Sequence, residues 1–381
     1  MNGLNKTDKA IGAKIKVIGV GGGGGNMIDH MAKQGLSNAI ELISANTDAQ
    51  ALDASEAKIK IQLGERKTKG LGAGMKPEIG KEAALESYDD IKESLEHSDI
   101  VFIAAGFGGG TGTGAAPIVA QAAKEVGALT VSVVTKPFMF EGRKRLRLAE
   151  AGLEELRKES DSIVIIPNEK LQAIVDKNLG IKESFKMVDD ILSRAVGGIS
   201  GVLLSYGQND INLDFADVQT VMSHRGMALM GVGESVGDNS AIEAIKSAIE
   251  SPLLDNMSIN GAMGVLVHFY INPDFPLSQI TEAMNIVYDS VDEDGDVIFG
   301  TTTDETMSKD EVKITIVATG FESEDDLQLS ESKQKNRGLN IIDKNDELTR
   351  ERMERIRKVS GGYEGDGDYL DVPTFLRKQM D

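Results

Sequence analysis

The sequence predicts an α/β fold: a parallel, doubly wound, Rossmann-like sheet, then a long connecting helix and a second, α+β domain. Three observations predict it. Short apolar runs of strand type alternate with helix-type segments through the first half. Two of these runs end in glycine clusters that open into helices. One long helical pattern then separates this region from a segment with three further strand-like runs. Order of the βαβα kind builds a parallel sheet.

Ile15–Val20 reads as the first strand, Glu41–Ala45 as the second, Ile100–Ala105 as the third, Leu129–Thr135 as the fourth and Ser162–Ile166 as the fifth. Helices are expected at Asn26–Gln34, Lys81–Glu96, Ala115–Val126 and Leu146–Lys158. Glu183–Tyr206 reads as one long helix, weakened by Gly197, Gly198 and Gly201. Beyond it, helices are expected near Asp217–Met222, Ala241–Glu250 and Leu277–Val287, with strands at Gly264–Ile271, Asp296–Thr302 and Lys313–Thr319. The expected organisation is an N-terminal extension (1–14), a nucleotide-binding domain (15–182), the connecting helix (183–208), the α+β domain (209–321), a polar linker (322–368) and a terminal peptide (369–381). The linker has too few apolar residues to form a core, although Asp346–Lys358 reads as a charged helix.

Composition removes several function classes. Among 381 residues there is no cysteine, so neither a disulfide framework nor a thiolate metal site is expected. The four histidines, His30, His97, His224 and His268, have no metal-ligand spacing, and no protein metal site is expected. A formal net charge of −20 repels nucleic acid and anionic lipid, so neither is expected as a general partner. The cluster Arg143, Lys144, Arg145 and Arg147 is a local exception. No run of apolar residues is long enough to span a bilayer, and Met1–Lys14 lacks a signal-peptide core, so a cytoplasmic protein is expected.

Gly21–Gly25 is five glycines in a row at the end of the first strand. Glycine inside a regular element costs roughly 0.5–1 kcal/mol per residue, so the run is expected to be a loop whose use depends on bare backbone. A loop that opens a helix aims unpaired N–H groups and a positive dipole end at one spot, which suits phosphate. Gly19, Gly21 and Gly24 also satisfy the dinucleotide fingerprint, with Asp48 where a ribose-binding acid would stand. A second run, Gly108–Gly114 (GGGTGTG), follows the third strand, with Thr111 and Thr113 hydroxyls able to donate to phosphate oxygens. Two cradles at neighbouring strand ends suit a polyphosphate better than a dinucleotide. No G-x-x-x-x-G-K-[ST] sequence is present. Gly70–Gly74 is a third glycine-rich piece, as readily a surface loop as a ligand contact.

Asn212, Asp214 and Asp217 stand in NLDFADV. Asp214 reads as a helix N-cap and Asp217 as a first-turn acid. The same spacing also puts both carboxylates on one helix face, where they would orient a water for attack on phosphate. Both readings stand on sequence alone.

At GGGTGTG the chain resembles the tubulin signature. Together with GVGGGGGN, NTDAQAL, TKGLGAG, TKPFMFEGRKR, NLDFADV and the terminal DYLDVPTFLRKQMD, it is similar to the bacterial cell-division (FtsZ) branch of the tubulin/FtsZ family. The resemblance runs from about Ile15 to Phe321 and resumes at the C-terminus. It implies the tubulin/FtsZ architecture, GTP and GDP as ligands, Mg²⁺ held mainly by phosphates and water, head-to-tail homopolymers, a mid-cell division ring, and hydrolysis switched on by assembly.

Position by position, it carries over Gly22, Gly23, Gly24, Gly25 and Asn26 as the first phosphate loop and Asn46 in NTDAQAL. Gly72, Ala73 and Gly74 become the γ-phosphate sensor, and Gly109, Gly110, Thr111, Gly112 and Thr113 the signature loop. Glu141 and Arg145 fall near ribose and phosphates, and Asn168, Phe185 and Asp189 at guanine. Without the family, Phe185 reads as a core aromatic and Glu141 with Arg145 as an ordinary ion pair. Asn212, Asp214 and Asp217 are implied to complete the site of the neighbouring subunit.

Tyr369, Leu370, Val372, Pro373, Phe375 and Leu376 form an apolar cluster near the end, readable as a frayed terminus or as a docking peptide on a tether. The resemblance favours docking onto adaptors such as FtsA. Gly264–Pro276, Met284–Asp296 and Met27 depart from the usual family pattern. Two rival readings remain at this stage: a nicotinamide-dependent oxidoreductase, and a nucleotide-binding scaffold without turnover.

Overall fold

The computed structural model describes residues 13–36, 40–171, 180–204, 214–224, 227–254, 259, 261–291 and 295–321. In chain order the elements are β1 Ile15–Val20, α1 Gly21–Lys33, β2 Glu41–Asn46, α2 Ala49–Ala54, β3 Ile59–Gln62, α3 Glu65–Thr68, α4 Pro77–Glu86 and α5 Tyr88–Leu95. They continue with β4 Ile100–Gly106, α6 Thr111–Glu125, β5 Leu129–Lys136, α7 Arg143–Glu159, β6 Ser162–Pro167, α8 Asn168–Leu171 and α9 Ile181–Leu204. The last group is α10 Phe215–Met222, β7 Met227–Val236, α11 Ser240–Ile249, β8 Gly264–Ile271, α12 Leu277–Tyr288, β9 Asp296–Thr303 and β10 Glu311–Phe321.

The strands form one ten-stranded sheet in the order β3-β2-β1-β4-β5-β6-β7-β10-β8-β9. Pairing is parallel from β3 through β7 and again between β8 and β9, while β10 runs antiparallel to both neighbours. The α+β region therefore continues the first sheet instead of carrying its own. The seam is narrow: β6 meets β7 through Ile163 opposite Met227 and Val164 opposite Ala228.

Alternation along the strands sorts the core into layers. Val17, Phe102 and Val131 face Met27, Ile28 and Met31 of α1 and Ile191, Leu192 and Ala195 of α9. Ile18, Val101 and Ile103 face the other way, against Ala83, Ile91, Val119 and Leu153 from α4 to α7. Both faces are thus covered, which is why these strands are apolar at nearly every position. Each such side chain contributes about 1.5–3 kcal/mol when fully buried. Phe269 and Ile314 pack under α11 and α12 in a third cluster. Among the described residues, no helix is long and apolar enough to cross a membrane.

The structure corrects several expectations. Gly21–Gly25 is not a loop but the opening of α1 itself. The first N–H groups of a helix have no intrahelical partner in any case, so bare backbone costs less there than in mid-helix. Gly21 has φ +73°, and a Cβ on Gly24 would lie 2.3 Å from the Ala104 carbonyl oxygen. Likewise α6 begins at Thr111, four residues before its expected start. Lys81–Glu96 is two helices broken at Ser87, whose hydroxyl accepts from Gly64 N–H and donates to the Gln62 carbonyl, each at 3.1 Å.

Strand β7 escapes a pattern reading because Gly231 and Gly233 interrupt it. Each sits beneath α11, where a Cβ would lie 2.0 Å from the Ala248 and Ala244 carbonyl oxygens, respectively. In α9, Gly198 and Gly201 do not break the helix. They let it approach Thr315 and His268, 3.0 and 3.1 Å from a Cβ built at each position. The linker, the charged segment 346–358 and the terminal peptide lie outside the described residues.

Candidate functional site

The strand order reverses direction at β1, with β2 and β3 to one side and β4, β5 and β6 to the other. A sheet of this type opens a crevice at that switch point, outside the carboxyl ends of its strands. A cleft of about 330 Å³ lies there. One wall is Gly22, Gly23 and Asn26 of α1; the other is Gly109, Gly110, Thr111 and Gly112 at the start of α6, with Gly74 beside them. Two helix N-termini thus converge on one end of the cleft, and their N–H groups and dipoles favour an anion. A Cβ built on Gly22 or Gly109 meets nothing within 4 Å, so at both positions the missing side chain leaves room in the cleft.

The opposite end is built differently. Asn168 follows β6, is buried, and among the described residues its Oδ1 has no hydrogen-bond partner. Phe185, Val188, Asp189 and Leu192 enter from α9. Burial pushes the Asp189 carboxyl up to about 6; Asp29 adds to the rise and His30 opposes it. Phe185 meets Phe138 edge-on, with ring centroids 5.5 Å apart, and Phe138 stacks on Phe140 at 5.1 Å. Glu141 lines the middle of the cleft, accepting from Phe138 N–H at 3.0 Å and from the Arg145 guanidinium at 2.6 Å. The ion pair read from sequence is therefore present, and it belongs to the cleft wall.

The structure divides the predicted residues. Gly22, Gly23, Asn26, Gly74, Gly109, Gly110, Thr111, Gly112, Glu141, Arg145, Asn168, Phe185 and Asp189 all line the cleft. Gly24, Gly25, Asn46, Gly72, Ala73 and Thr113 are not among the lining residues. Gly24 lets α1 close on β4, and the Asn46 side chain accepts from Asp48 N–H at 3.2 Å. The Thr113 hydroxyl accepts from Gly108 N–H at 2.9 Å, so it braces the loop instead of facing the cleft. Gly106, Phe107, Thr135, Pro137, Val188 and Leu192 also line the cleft and were not read from sequence. For Val188 and Leu192 a signal exists: with Phe185 and Asp189 they keep the i, i+3, i+4, i+7 spacing of one helix face.

Asp214 and Asp217 are exposed and do not line the cleft. Asp214 occupies the N-cap position of α10 but its side chain makes no cap hydrogen bond. Helix α9 begins at the cleft and ends against β8 and β9, a run of about 36 Å at 1.5 Å per residue. Helix α10 packs against β8 and β9, and β8 lies four places from β5 in the sheet, roughly 19 Å at the usual strand spacing. Asn212 and the terminal residues Tyr369, Leu370, Val372, Pro373, Phe375 and Leu376 lie outside the described residues.

Residues 14–176 match the GTPase domain of the Tubulin/FtsZ family, and residues 226–322 match the C-terminal domain of the FtsZ family. Among solved structures, an empty FtsZ dimer from M. jannaschii is 44% identical to this chain, with TM-score 0.77, covering 81% of this chain and 88% of that one. A GTPγS-bound CetZ2 protofilament from Haloferax volcanii is 19% identical, with TM-score 0.67 over 87% of this chain and 99% of that one. The GDP-bound CetZ1 monomer from Haloferax volcanii is 18% identical, with TM-score 0.68 over 81% and 95%. At these identities the two CetZ structures bear on the fold alone.

Proposed function

Since the chain belongs to the tubulin/FtsZ family and carries its GTPase domain, we propose that it is a self-assembling cytoskeletal GTPase. In this reading it binds GTP, assembles head to tail, forms the mid-cell division ring in the cytoplasm and hydrolyses GTP where two subunits meet. The observation that carries the reading is the two-ended cleft: helix N-termini and open glycines at one end, the Asn168 oxygen and the Asp189 carboxylate at the other.

The fit to a guanine nucleotide follows from donors and acceptors. The base edge of guanine presents three N–H hydrogens, one on N1 and two on N2. Asp189 offers two carboxylate oxygens and Asn168 one buried oxygen without a partner among the described residues. A buried acceptor without a partner costs about 1–3 kcal/mol, which a base N–H donor would relieve. Adenine has an acceptor at N1 and would leave that carboxylate oxygen without a donor. Phe185 offers its ring face to the base. The N–H groups at Gly22, Gly23 and Gly109–Gly112 hold the phosphates, and Arg145, oriented by Glu141, adds a cation.

Mg²⁺, when bound, neutralises phosphate charge and is held mainly by phosphates and water. Among the described residues, no group of three or more histidine, aspartate or glutamate side chains is placed to hold a metal. Asp214 and Asp217 lie on one face of α10, exposed, with Asp214 free of any capping duty. On a neighbouring subunit they orient the attacking water, together with Asn212. Distance within one chain favours this assignment, because α10 packs against β8 and β9, four and five places along the sheet from β5. The terminal residues Tyr369–Leu376 dock onto adaptors such as FtsA.

Light scattering with and without GTP, followed by phosphate release, tests the reading. GTP-dependent scattering that decays as phosphate appears is expected. Neither signal at any protein concentration would overturn it.

A further inference from the structure

Behind the cleft wall lies a fully buried residue to which no role has been given. Thr47 follows β2, and its hydroxyl lies 2.6 Å from the Thr111 hydroxyl. Thr111 lines the cleft; Thr47 does not. The Thr47 carbonyl accepts three donors: Gly72 N–H at 3.1 Å, the Thr68 hydroxyl at 3.2 Å and the Gln62 amide at 3.2 Å. One residue therefore ties the start of α6 to the loop that carries Gly72, Ala73 and Gly74. That loop abuts α6 directly, since a Cβ on Gly110 would lie 2.2 Å from the Gly74 carbonyl oxygen.

The two hydroxyls share one hydrogen bond, and its direction matters. Neither makes another hydrogen bond among the described residues. If Thr111 donates to Thr47, only oxygen lone pairs of Thr111 face the cleft, which disfavours an anion. If Thr47 donates, the Thr111 proton is free to point into the cleft. An anion there selects the second arrangement, and a chain of two hydroxyls strengthens each bond by polarisation.

We propose that Thr47 is a positioning residue for the terminal phosphate: its hydroxyl turns the Thr111 O–H toward the anion, and its carbonyl holds the Gly72–Gly74 loop against it. This rests on reading the cleft as a guanine-nucleotide site. It predicts that loss of the Thr47 hydroxyl weakens binding of a triphosphate more than that of a diphosphate.

The test is equilibrium binding of GTPγS and GDP to the full chain. Thr47→Val keeps the shape and removes the hydroxyl. The expected result is about fivefold or more loss of GTPγS affinity, with GDP affinity changed less than about twofold. Thr47→Ser should restore the wild-type ratio. Equal losses for both nucleotides, no loss for either, or failure of the serine variant to restore the ratio would overturn the proposal. If Thr47→Val does not fold, Thr47→Cys, which keeps the volume and donates weakly, is held to the same criterion. Failure of the wild-type chain to bind either nucleotide would instead overturn the reading of the cleft.

Discussion

Gly110 and Gly74 touch so closely that a Cβ on Gly110 would lie 2.2 Å from the Gly74 carbonyl oxygen. The loop after α3 and the start of α6 are thus one packed unit, and the cleft depends on their contact. Gly109, one residue away, meets nothing within 4 Å. The two glycines serve different ends, and substitution separates them. Gly110→Ala should destabilise the fold by about 1–3 kcal/mol through overpacking against backbone and should also weaken nucleotide binding. Gly109→Ala should leave the thermal midpoint unchanged while lowering GTP affinity about tenfold or more, because its methyl occupies ligand space. Thermal melts paired with nucleotide titration distinguish the two.

Asp189 sets an expected pH dependence. Its carboxyl is pushed up to about 6 by burial, against an unfolded value near 3.8. The charged form is the one disfavoured by the free protein, and under the proposed function it is also the form that would accept from guanine. Nucleotide affinity should therefore fall as pH drops through 6, by about tenfold at pH 5 relative to neutrality. Stability of the nucleotide-free protein should show the opposite trend from this group: no cost below about pH 4, and an increasing cost as pH rises through 6. Asp189→Asn should flatten the affinity profile between pH 5 and 7. Titrations of GDP at several pH values check both.

Asp214 tests the division of labour between subunits. Asp214→Ala should bind GTP as the wild type does and lose roughly 100-fold or more in turnover. Mixed with wild type, it should depress activity beyond simple dilution, since each variant subunit spoils a neighbour's site. Specific activity of the wild type should also fall as protein is diluted. Normal hydrolysis by Asp214→Ala, or a specific activity flat down to nanomolar protein, would refute the shared site.

Gly231 and Gly233 test the α+β region apart from the chemistry. A methyl at Gly231 would lie 2.0 Å from the Ala248 carbonyl oxygen, so Gly231→Ala must push α11 off the sheet. A cost of about 1–3 kcal/mol is expected. The thermal midpoint should drop by about 2–4 °C per kcal/mol with nucleotide affinity retained. Melts with and without GDP check this.

Along the chain alone, the parallel sheet, the position of both glycine runs and the residue types of the glycine-lined end of the cleft are already legible. Those features are local: strand apolarity, bare backbone and helix starts follow one another along the chain. Phe185 and Asp189 follow from the family resemblance, whereas their neighbours Val188 and Leu192 share a helix face with them by the i, i+3, i+4, i+7 spacing. Tertiary structure decided what periodicity cannot carry. It made helix, not loop, of Gly21–Gly25, because a glycine's cost depends on whether its N–H has a partner. It revealed β7, whose glycines make sense only beneath α11. It placed Thr113 behind the wall and Thr47 against Thr111, a contact between residues 64 positions apart. Hydrogen-bond direction and close packing are properties of pairs brought together by the fold, so no single stretch of sequence encodes them.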